Sequence, residues 1–93
     1  MTTNLEATLD ERGKRYGLFT EHAEAAQQLK KVIGIYVRRQ PVGFLAADQQ
    51  EALDMICHKI GRIVNGDPNY ADSWHDIAGY AQLITNRLNE TES

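Results

Sequence analysis

The stretch that decides the fold is Lys59-Ile-Gly-Arg-Ile-Val-Asn-Gly-Asp-Pro-Asn-Tyr-Ala-Asp-Ser-Trp-His-Asp-Ile-Ala-Gly-Tyr80. Its first residues end one helical pattern and its last residues begin another, while residues 65–68 between them, Asn-Gly-Asp-Pro, have strong turn chemistry. A short turn of this kind predicts two antiparallel neighbouring helices, which form a helical hairpin. Cations lie at the end of the first helix and acids at the start of the second, so the hairpin also predicts a polar site.

Apolar residues recur at helical spacing in four segments of the chain. The predicted helices cover about residues 4–15, 20–38, 48–64 and 71 or 72 to 89, with breaks at Gly17 and at Pro41 and Gly43. Thr20 is the predicted N-cap of the second helix, and Asp48 begins a capping-box pattern on the third. We therefore expect one all-α domain over residues 1–93, a bundle of about four helices with frayed ends near residues 1–4 and 90–93.

Size and charge exclude several classes of function. The chain has 93 residues, a formal net charge of -3 and a pI near 5.5, which argues against generic nucleic-acid binding. A chain this short often oligomerises to bury more apolar surface, so a homo-oligomer is expected. The single cysteine, Cys57, forms no intrachain disulfide and fits a buried position in a cytoplasmic protein. No leader or membrane-length apolar run occurs, so no membrane partner is expected.

Polar residues form two lines on the predicted hairpin. At about 100° per residue, the third helix places one line opposite its apolar stripe of Leu53, Ile56, Ile60 and Ile63. That polar line consists of Glu51, Met55, His58 and Arg62, with Lys59 beside it. The fourth helix carries Asp72 and Asp76 on one line, with Tyr80 next to them. The two lines are expected to lie close together across the turn.

The spacing of Asp72 and Asp76 supports two interpretations. Like charges four residues apart disfavour a helix by about 0.2–0.5 kcal/mol, so the pair favours a nearby cation. That cation is either Lys59 or Arg62, or a divalent metal such as Mg²⁺ bound by Glu51, Asp72 and Asp76. In the alternative, Asp72 is the helix N-cap and Asp76 is a surface acid paired with a cation.

Six residues are candidates for binding a ligand. Arg15 and Tyr16 either end the first helix or, if that segment folds over the hairpin, hold a phosphate and a base. Trp74 is a core anchor or a stacking platform, and the hydroxyl of Tyr80 is able to reach a ligand from a packed ring. The candidate set is Arg15, Tyr16, Lys59, Arg62, Trp74 and Tyr80.

Several blocks of the sequence resemble a family of small, uncharacterised proteins of tailed phages and prophages. The most specific blocks are Lys-Ile-x-Arg-Ile-x-Asn-Gly-Asp at residues 59–67 and Asp-Ser-Trp-x-Asp-Ile-Ala-Gly-Tyr at residues 72–80. Residues 15–23, 28–30 and 48–53 extend the resemblance over most of the chain. It implies a phage or prophage origin and, with it, the cytoplasm of the host cell.

A more distant resemblance concerns chemistry. Tyr16-Gly17, Lys59-x-x-Arg62 and the Ser-x-x-Asp-x-x-x-Tyr helix are similar to phage nucleotide-modification-associated domains. The acids on facing helices resemble the MazG-like all-α nucleotide pyrophosphatases, in which paired acidic motifs hold magnesium against a nucleoside triphosphate. Glu51 with Asp54 and Asp72 with Asp76 would match those motifs. The second spacing differs by one residue, so the resemblance implies nucleotide binding more than hydrolysis.

Three functions are therefore expected as alternatives, and the sequence leaves open whether the protein is an enzyme. The first is Mg²⁺-dependent hydrolysis of a nucleoside triphosphate. The second is binding of a nucleotide without catalysis, including a signalling nucleotide made by a host defence. The third is an inhibitor or adaptor that binds a host protein through a helix face.

Overall fold

Helices make up most of the computed structural model, which describes residues 4–92, with side chains described to residue 90. Helix α1 spans Asn4–Tyr16, α2 spans Phe19–Val37, α3 spans Ala47–Asn65 and α4 spans Ala71–Glu92. Within residues 4–92 there is no strand, which confirms the all-α prediction of about four helices. Helix α4 continues past its predicted end at Asn89, while the predicted frayed residues 1–3 and 93 lie outside the described residues.

Both predicted N-caps are wrong by about two residues. Gly17 adopts a positive φ of 77°, so the chain turns at once and α2 begins after Leu18 rather than after Thr20. Helix α3 is preceded by Ala46, whose backbone N–H donates to Oε1 of Gln49 at 2.8 Å. Asp48 lies inside this helix, where its carboxylate accepts two hydrogen bonds from Arg87 at 2.7 Å each. Asp48 therefore contacts α4 and does not cap α3.

The turn at residues 65–68 forms the predicted hairpin between α3 and α4. Oδ1 of Asp67 accepts a hydrogen bond from the backbone N–H of Asn69 at 2.9 Å, which is typical Asx-turn chemistry. Near the turn Lys59 contacts Asp76, and far from it Asp48 contacts Arg87. Because early residues of α3 meet late residues of α4, the two helices are antiparallel.

Helix α3 is the centre of the molecule. Helices α2 and α4 each pack against α3, and within residues 4–92 they do not contact each other. Gly61 of α3 approaches His22 of α2, whereas Lys59 faces α4, so the two neighbours lie on opposite sides of α3. The result is a flat layer in the order α2, α3, α4, with α1 crossing one end, and overall extents of 56 × 29 × 22 Å.

The buried core of this layer is small. The buried apolar residues in the described range are Ala26, Ala52, Cys57 and Ile63. Of the predicted core stripe on α3 only Ile63 is buried, while Leu53, Ile56 and Ile60 are half-buried. Burial raises the pKa of the Cys57 thiol, as expected of a small buried hydrophobe. In the described part of the chain, no helix has the length and apolar character needed to cross a membrane.

Candidate functional site

The candidate site lies where α1 ends against the turn between α3 and α4. The backbone N–H of Asp67 donates to the carbonyl of Arg15 at 2.7 Å, which fixes the end of α1 to the turn. Gly17 follows immediately, and its Cα lies so close to the Asn65 carbonyl that a Cβ there would overlap it. Arg15 and Tyr16 end α1 before Gly17, as the first interpretation predicted, and the same backbone contacts also place Tyr16 over the C-terminal part of α3.

A stack of cations and aromatic rings follows from this placement. The guanidinium carbon of Arg62 lies 4.3 Å from the centre of the Tyr16 ring, within the range of a cation–π contact. The centres of the Tyr16 and Tyr70 rings lie 5.9 Å apart in an edge-to-face arrangement, and the guanidinium carbon of Arg15 lies 4.6 Å from the centre of the Tyr70 ring. These contacts join the end of α1, the end of α3 and the segment just before α4. They also fix the orientation of the Arg62 side chain.

The Tyr70 hydroxyl links Arg15 to the start of α4. It accepts a hydrogen bond from Nη1 of Arg15 at 2.8 Å and donates one to Oδ2 of Asp72 at 2.9 Å. The hydrogen bond to Asp72 raises the pKa of the Tyr70 phenol, because it favours the protonated form. Arg15 also forms an ion pair with Glu11 at 2.6 Å. The Arg15 guanidinium is thus paired with a carboxylate while it lies over the Tyr70 ring.

Two histidines lie next to Arg62. His22 on α2 is only 4% exposed, and its ring meets that of His58 on α3 at 5.5 Å. Burial, followed by the charge of Arg62, lowers the pKa of both, and the pKa of His58 falls to about 4. Both imidazoles are therefore neutral at pH 7. Among the described residues, neither Nδ1 of His22 nor Nε of Arg62 has a hydrogen-bond partner, although both atoms are buried.

These groups border a pocket between α1, the start of α2 and the end of α3, which we call the α1 pocket. Its volume is about 330 Å³. The polar and aromatic groups of its lining are Arg12, Tyr16, Phe19, His22 and Arg62, and the lining contains no carboxylate. Two guanidinium groups beside exposed and buried rings suit a ligand that combines an anionic group with a flat ring.

Lys59 and Asp76 are joined across the hairpin. Nζ of Lys59 lies 2.9 Å from Oδ2 of Asp76, and the Lys59 side chain is only 11% exposed. The hydrogen bond from this lysine lowers the pKa of the Asp76 carboxyl. The arrangement matches the interpretation of Asp76 as an acid paired with a cation. Asp72, by contrast, lies in the first turn of α4 and is not its N-cap.

The three candidate metal ligands have separate surroundings. Asp76 binds Lys59 and Asp72 binds Tyr70, whereas Glu51 lies at a groove of about 230 Å³ beside Tyr80. Among the described residues, no group of three or more His, Cys, Asp or Glu side chains is arranged to hold a metal ion. Magnesium binding stays a prediction.

The remaining two candidates lie away from the α1 pocket. Trp74 is 54% exposed, and its indole N–H donates to the Pro68 carbonyl at 2.8 Å, so it braces the turn. Tyr80 lies farther along α4, at the groove with Glu51. Of the six candidates, the structure brings together Arg15, Tyr16 and Arg62, places Lys59 one turn away, and separates Trp74 and Tyr80 from them.

Comparison with protein families identifies the chain. A model described as Domain of unknown function (DUF6378) matches residues 1–88. The chain belongs to the DUF6378 family. Neither the curated proteins nor the solved structures gave a match. The function of this DUF6378 protein must therefore be inferred from its site.

Sequence reasoning missed Arg12, His22 and Tyr70 as residues of this site. His22 precedes Ala26, Leu29 and Ile33 at helical spacing, so a histidine on the apolar stripe of α2 was the available indication. Arg12 and Tyr70 had none, because their positions depend on α1 folding back over the turn.

Proposed function

We propose that this DUF6378 protein binds a nucleotide or a nucleotide-derived molecule in the α1 pocket. The observation that carries the proposal is the stacking of Arg62 on Tyr16 with its buried Nε left without an acceptor beside the buried His22. A buried donor without a partner costs about 1–3 kcal/mol, which a ligand oxygen would recover. The unpartnered groups thus favour a ligand rather than an internal structural contact.

The lining of the pocket divides into two parts that match the two parts of a nucleotide. Arg12 and Arg62 provide positive charge for phosphate oxygens, and Arg forms bidentate hydrogen bonds with such groups. Phe19 lines the same pocket with a ring that is 71% exposed and available for stacking against a base. The volume of about 330 Å³ lies at the lower end of the range typical of small-molecule sites.

The metal-dependent alternative has less support than binding alone. Hydrolysis by two acidic motifs would need carboxylates free to bind magnesium, but Asp72 and Asp76 contact Tyr70 and Lys59. The α1 pocket itself has no carboxylate in its lining. We therefore propose binding without turnover and without a required metal.

A biological setting is proposed from the resemblance to phage and prophage proteins. In that setting the protein acts in the cytoplasm of the host cell, and a signalling nucleotide of a host defence is a suitable ligand. A small protein that sequesters such a signal needs only a binding pocket. The competing adaptor hypothesis requires a host protein partner and no small-molecule affinity.

Calorimetry with a panel of nucleoside mono-, di- and triphosphates and cyclic dinucleotides tests the proposal, with and without EDTA. We expect binding of at least one nucleotide, unchanged by EDTA. Arg62→Gln should weaken it at least about tenfold, since a hydrogen bond to a charged group contributes about 1.5–3 kcal/mol. The matched control is Arg39→Gln, because Arg39 also stacks on a tyrosine, Tyr36, at 4.6 Å but lies far from the pocket.

Three outcomes would contradict the proposal. If EDTA abolishes binding, the metal-dependent alternative is favoured. Hydrolysis would then be established if the native protein releases phosphate from the nucleotide and Asp76→Ala does not. An equal effect of Arg39→Gln would mean that overall charge, not the pocket, drives the interaction. Absence of binding to every nucleotide would favour the adaptor hypothesis.

A further inference from the structure

One side of the flat layer is mostly apolar. Because α2 and α4 flank α3 on opposite sides, α3 exposes one side with Glu51, His58 and Arg62 and another side with apolar residues. We call the second side the open face. Its principal residues, from all three helices, are Val32, Tyr36, Leu53, Ile60, Val64 and Trp74. None of these six residues is charged, and the guanidinium of Arg39 lies over the Tyr36 ring at the margin of the face.

The open face is exposed to an unusual degree for an apolar surface. Val64 is 66% exposed, Tyr36 58%, and Val32 and Trp74 54% each. Between α3 and α4 the face continues as a groove of about 350 Å³ whose lining is almost wholly apolar and includes Leu53. Contiguous apolar surface of this extent is typical of an interface with another protein.

The surface area of the chain supports the same conclusion. The accessible surface is 6897 Å², whereas a compact monomer of 10.5 kDa exposes about 5,400 Å². The excess of about 1,500 Å² agrees with what one subunit buries in an obligate dimer. The radius of gyration, 16.1 Å, also exceeds the value of about 12 Å expected for a compact chain of this length.

We propose that the open face binds the open face of a second copy of this chain. Two flat layers that pack face to face form the two-layer arrangement in which helical proteins bury a shared core. A two-fold axis pairs the face with itself, and the apolar α3 residues Leu53, Ile60 and Val64 at its centre bring no like charges together in that pairing. His58 and Arg62 lie on the other side of the layer, so the α1 pocket stays accessible in the dimer.

Sedimentation equilibrium or light scattering tests the proposal with two matched variants. Val64→Glu puts a carboxylate in the open face, while Val42→Glu makes the same change at a fully exposed valine in the loop between α2 and α3. We expect the native chain and Val42→Glu to have twice the mass of 10.5 kDa. In Val64→Glu the dissociation constant should rise about 100-fold or more, because symmetry buries two carboxylates.

Thermal unfolding keeps the test decisive if Val64→Glu does not fold. The melting temperature of the native dimer should rise with protein concentration between micromolar and hundred-micromolar samples, as mass action requires. A native chain that is monomeric at every concentration, with a constant melting temperature, would overturn the proposal. So would a monomeric native chain that instead forms a host-protein complex sensitive to Val64→Glu. Equal loss of dimer in Val42→Glu would exclude the open face as the interface.

Discussion

The two ends of the helical layer are held together in different ways. At the end where α1 crosses α3, backbone meets backbone: Gly17 lies against Asn65, and Arg15 accepts a hydrogen bond from Asp67. At the opposite end, the loop between α2 and α3 leaves Val42 fully exposed, and the ion pair of Asp48 with Arg87 joins α3 to α4. The first end tolerates little change, while the second depends on flexible side chains.

A preorganised site forms more readily at the end where backbone contacts hold the helices. The stack of Arg62 on Tyr16 lies at the tightly packed end, so its geometry is set by backbone contacts before a ligand arrives. Arg39 stacks on Tyr36 near the loop end, where the backbone hydrogen bond from the Arg39 N–H to the Tyr36 carbonyl, 3.2 Å, lies within the end of α2 and does not join two helices. Similar chemistry thus has different consequences at the two ends, and substitutions at each end measure how different they are.

The largest contrast is expected between two glycines with positive φ. Gly17→Ala should destabilise the fold by at least about 3 kcal/mol, because a left-handed conformation and overlap with the Asn65 carbonyl act together. Gly43→Ala has the same backbone strain but open space around its Cβ, so about 1–2 kcal/mol is expected. Urea denaturation of both variants measures the contrast, and equal losses would mean that the two ends are packed alike.

A second pair of glycines compares the crossing of α2 and α3 with an open helix surface. At Gly61 a Cβ would lie 2.6 Å from the His22 carbonyl oxygen, so Gly61→Ala should cost about 2–3 kcal/mol. At Gly79 a Cβ meets no atom, and Gly79→Ala should stabilise α4 by about 0.5–1 kcal/mol. In chemical denaturation, the free energy of unfolding should decrease in Gly61→Ala and increase in Gly79→Ala. A tolerated alanine at position 61 would disprove the close helix contact.

Acid should weaken the tightly packed end first. The pKa of His58 is about 4 in the folded protein, whereas a histidine in the unfolded chain has its ordinary pKa of about 6.5. The unfolded chain therefore binds the proton more tightly. Stability is therefore full above about pH 6.5 and falls as the pH decreases toward 4. His58→Gln should flatten this part of the melting-temperature profile, whereas His75→Gln, at an exposed position, should not. A slope unchanged in His58→Gln would assign the acid response to another group.

The smallest effect is expected at the loop end. Asp48→Asn removes one partner of the exposed pair with Arg87 and should lower the melting temperature slightly, with the difference vanishing at high salt. Arg87 lowers the pKa of the Asp48 carboxyl, so this contribution is present above pH 3.8 and is lost as the pH falls below that value. Glu51→Gln on the same helix is the control. A large, salt-independent loss in Asp48→Asn would show that the loop end is as tightly held as the other.

Much of the secondary structure could be predicted from the sequence, because helix periodicity and turn chemistry are local properties. The Asn-Gly-Asp-Pro turn and the polar and apolar sides of α3 were predicted from spacing alone. The N-caps were not predicted from the sequence. Leu18 precedes α2 because the chain turns at Gly17, and Ala46 precedes α3 because its N–H donates to the Gln49 side chain. Neither residue has a side chain that favours the N-cap position.

The candidate site could be predicted only in part. Arg62 was visible as a cation on the polar side of α3, but its contact with Tyr16 depends on where α1 folds, which no local pattern specifies. His22 was not predicted as a site residue, because it lies on the apolar stripe of α2. Asp72 and Asp76 were expected to favour a nearby cation. The sequence did not predict that Tyr70, which lies just before α4, binds Asp72.

The hydrogen bond between the Asp67 amide and the Arg15 carbonyl has a consequence for folding order. It joins residues far apart in the chain, so its loop-closure entropy is paid only after the local hairpin of α3 and α4 exists. Helix α1 has no buried residue and is held mainly through its C-terminal end, so when those contacts break it should detach and leave the layer intact. In native-state hydrogen exchange the Asp67 amide should therefore exchange earlier than amides in the middle of α3, which makes it a reporter of α1 docking.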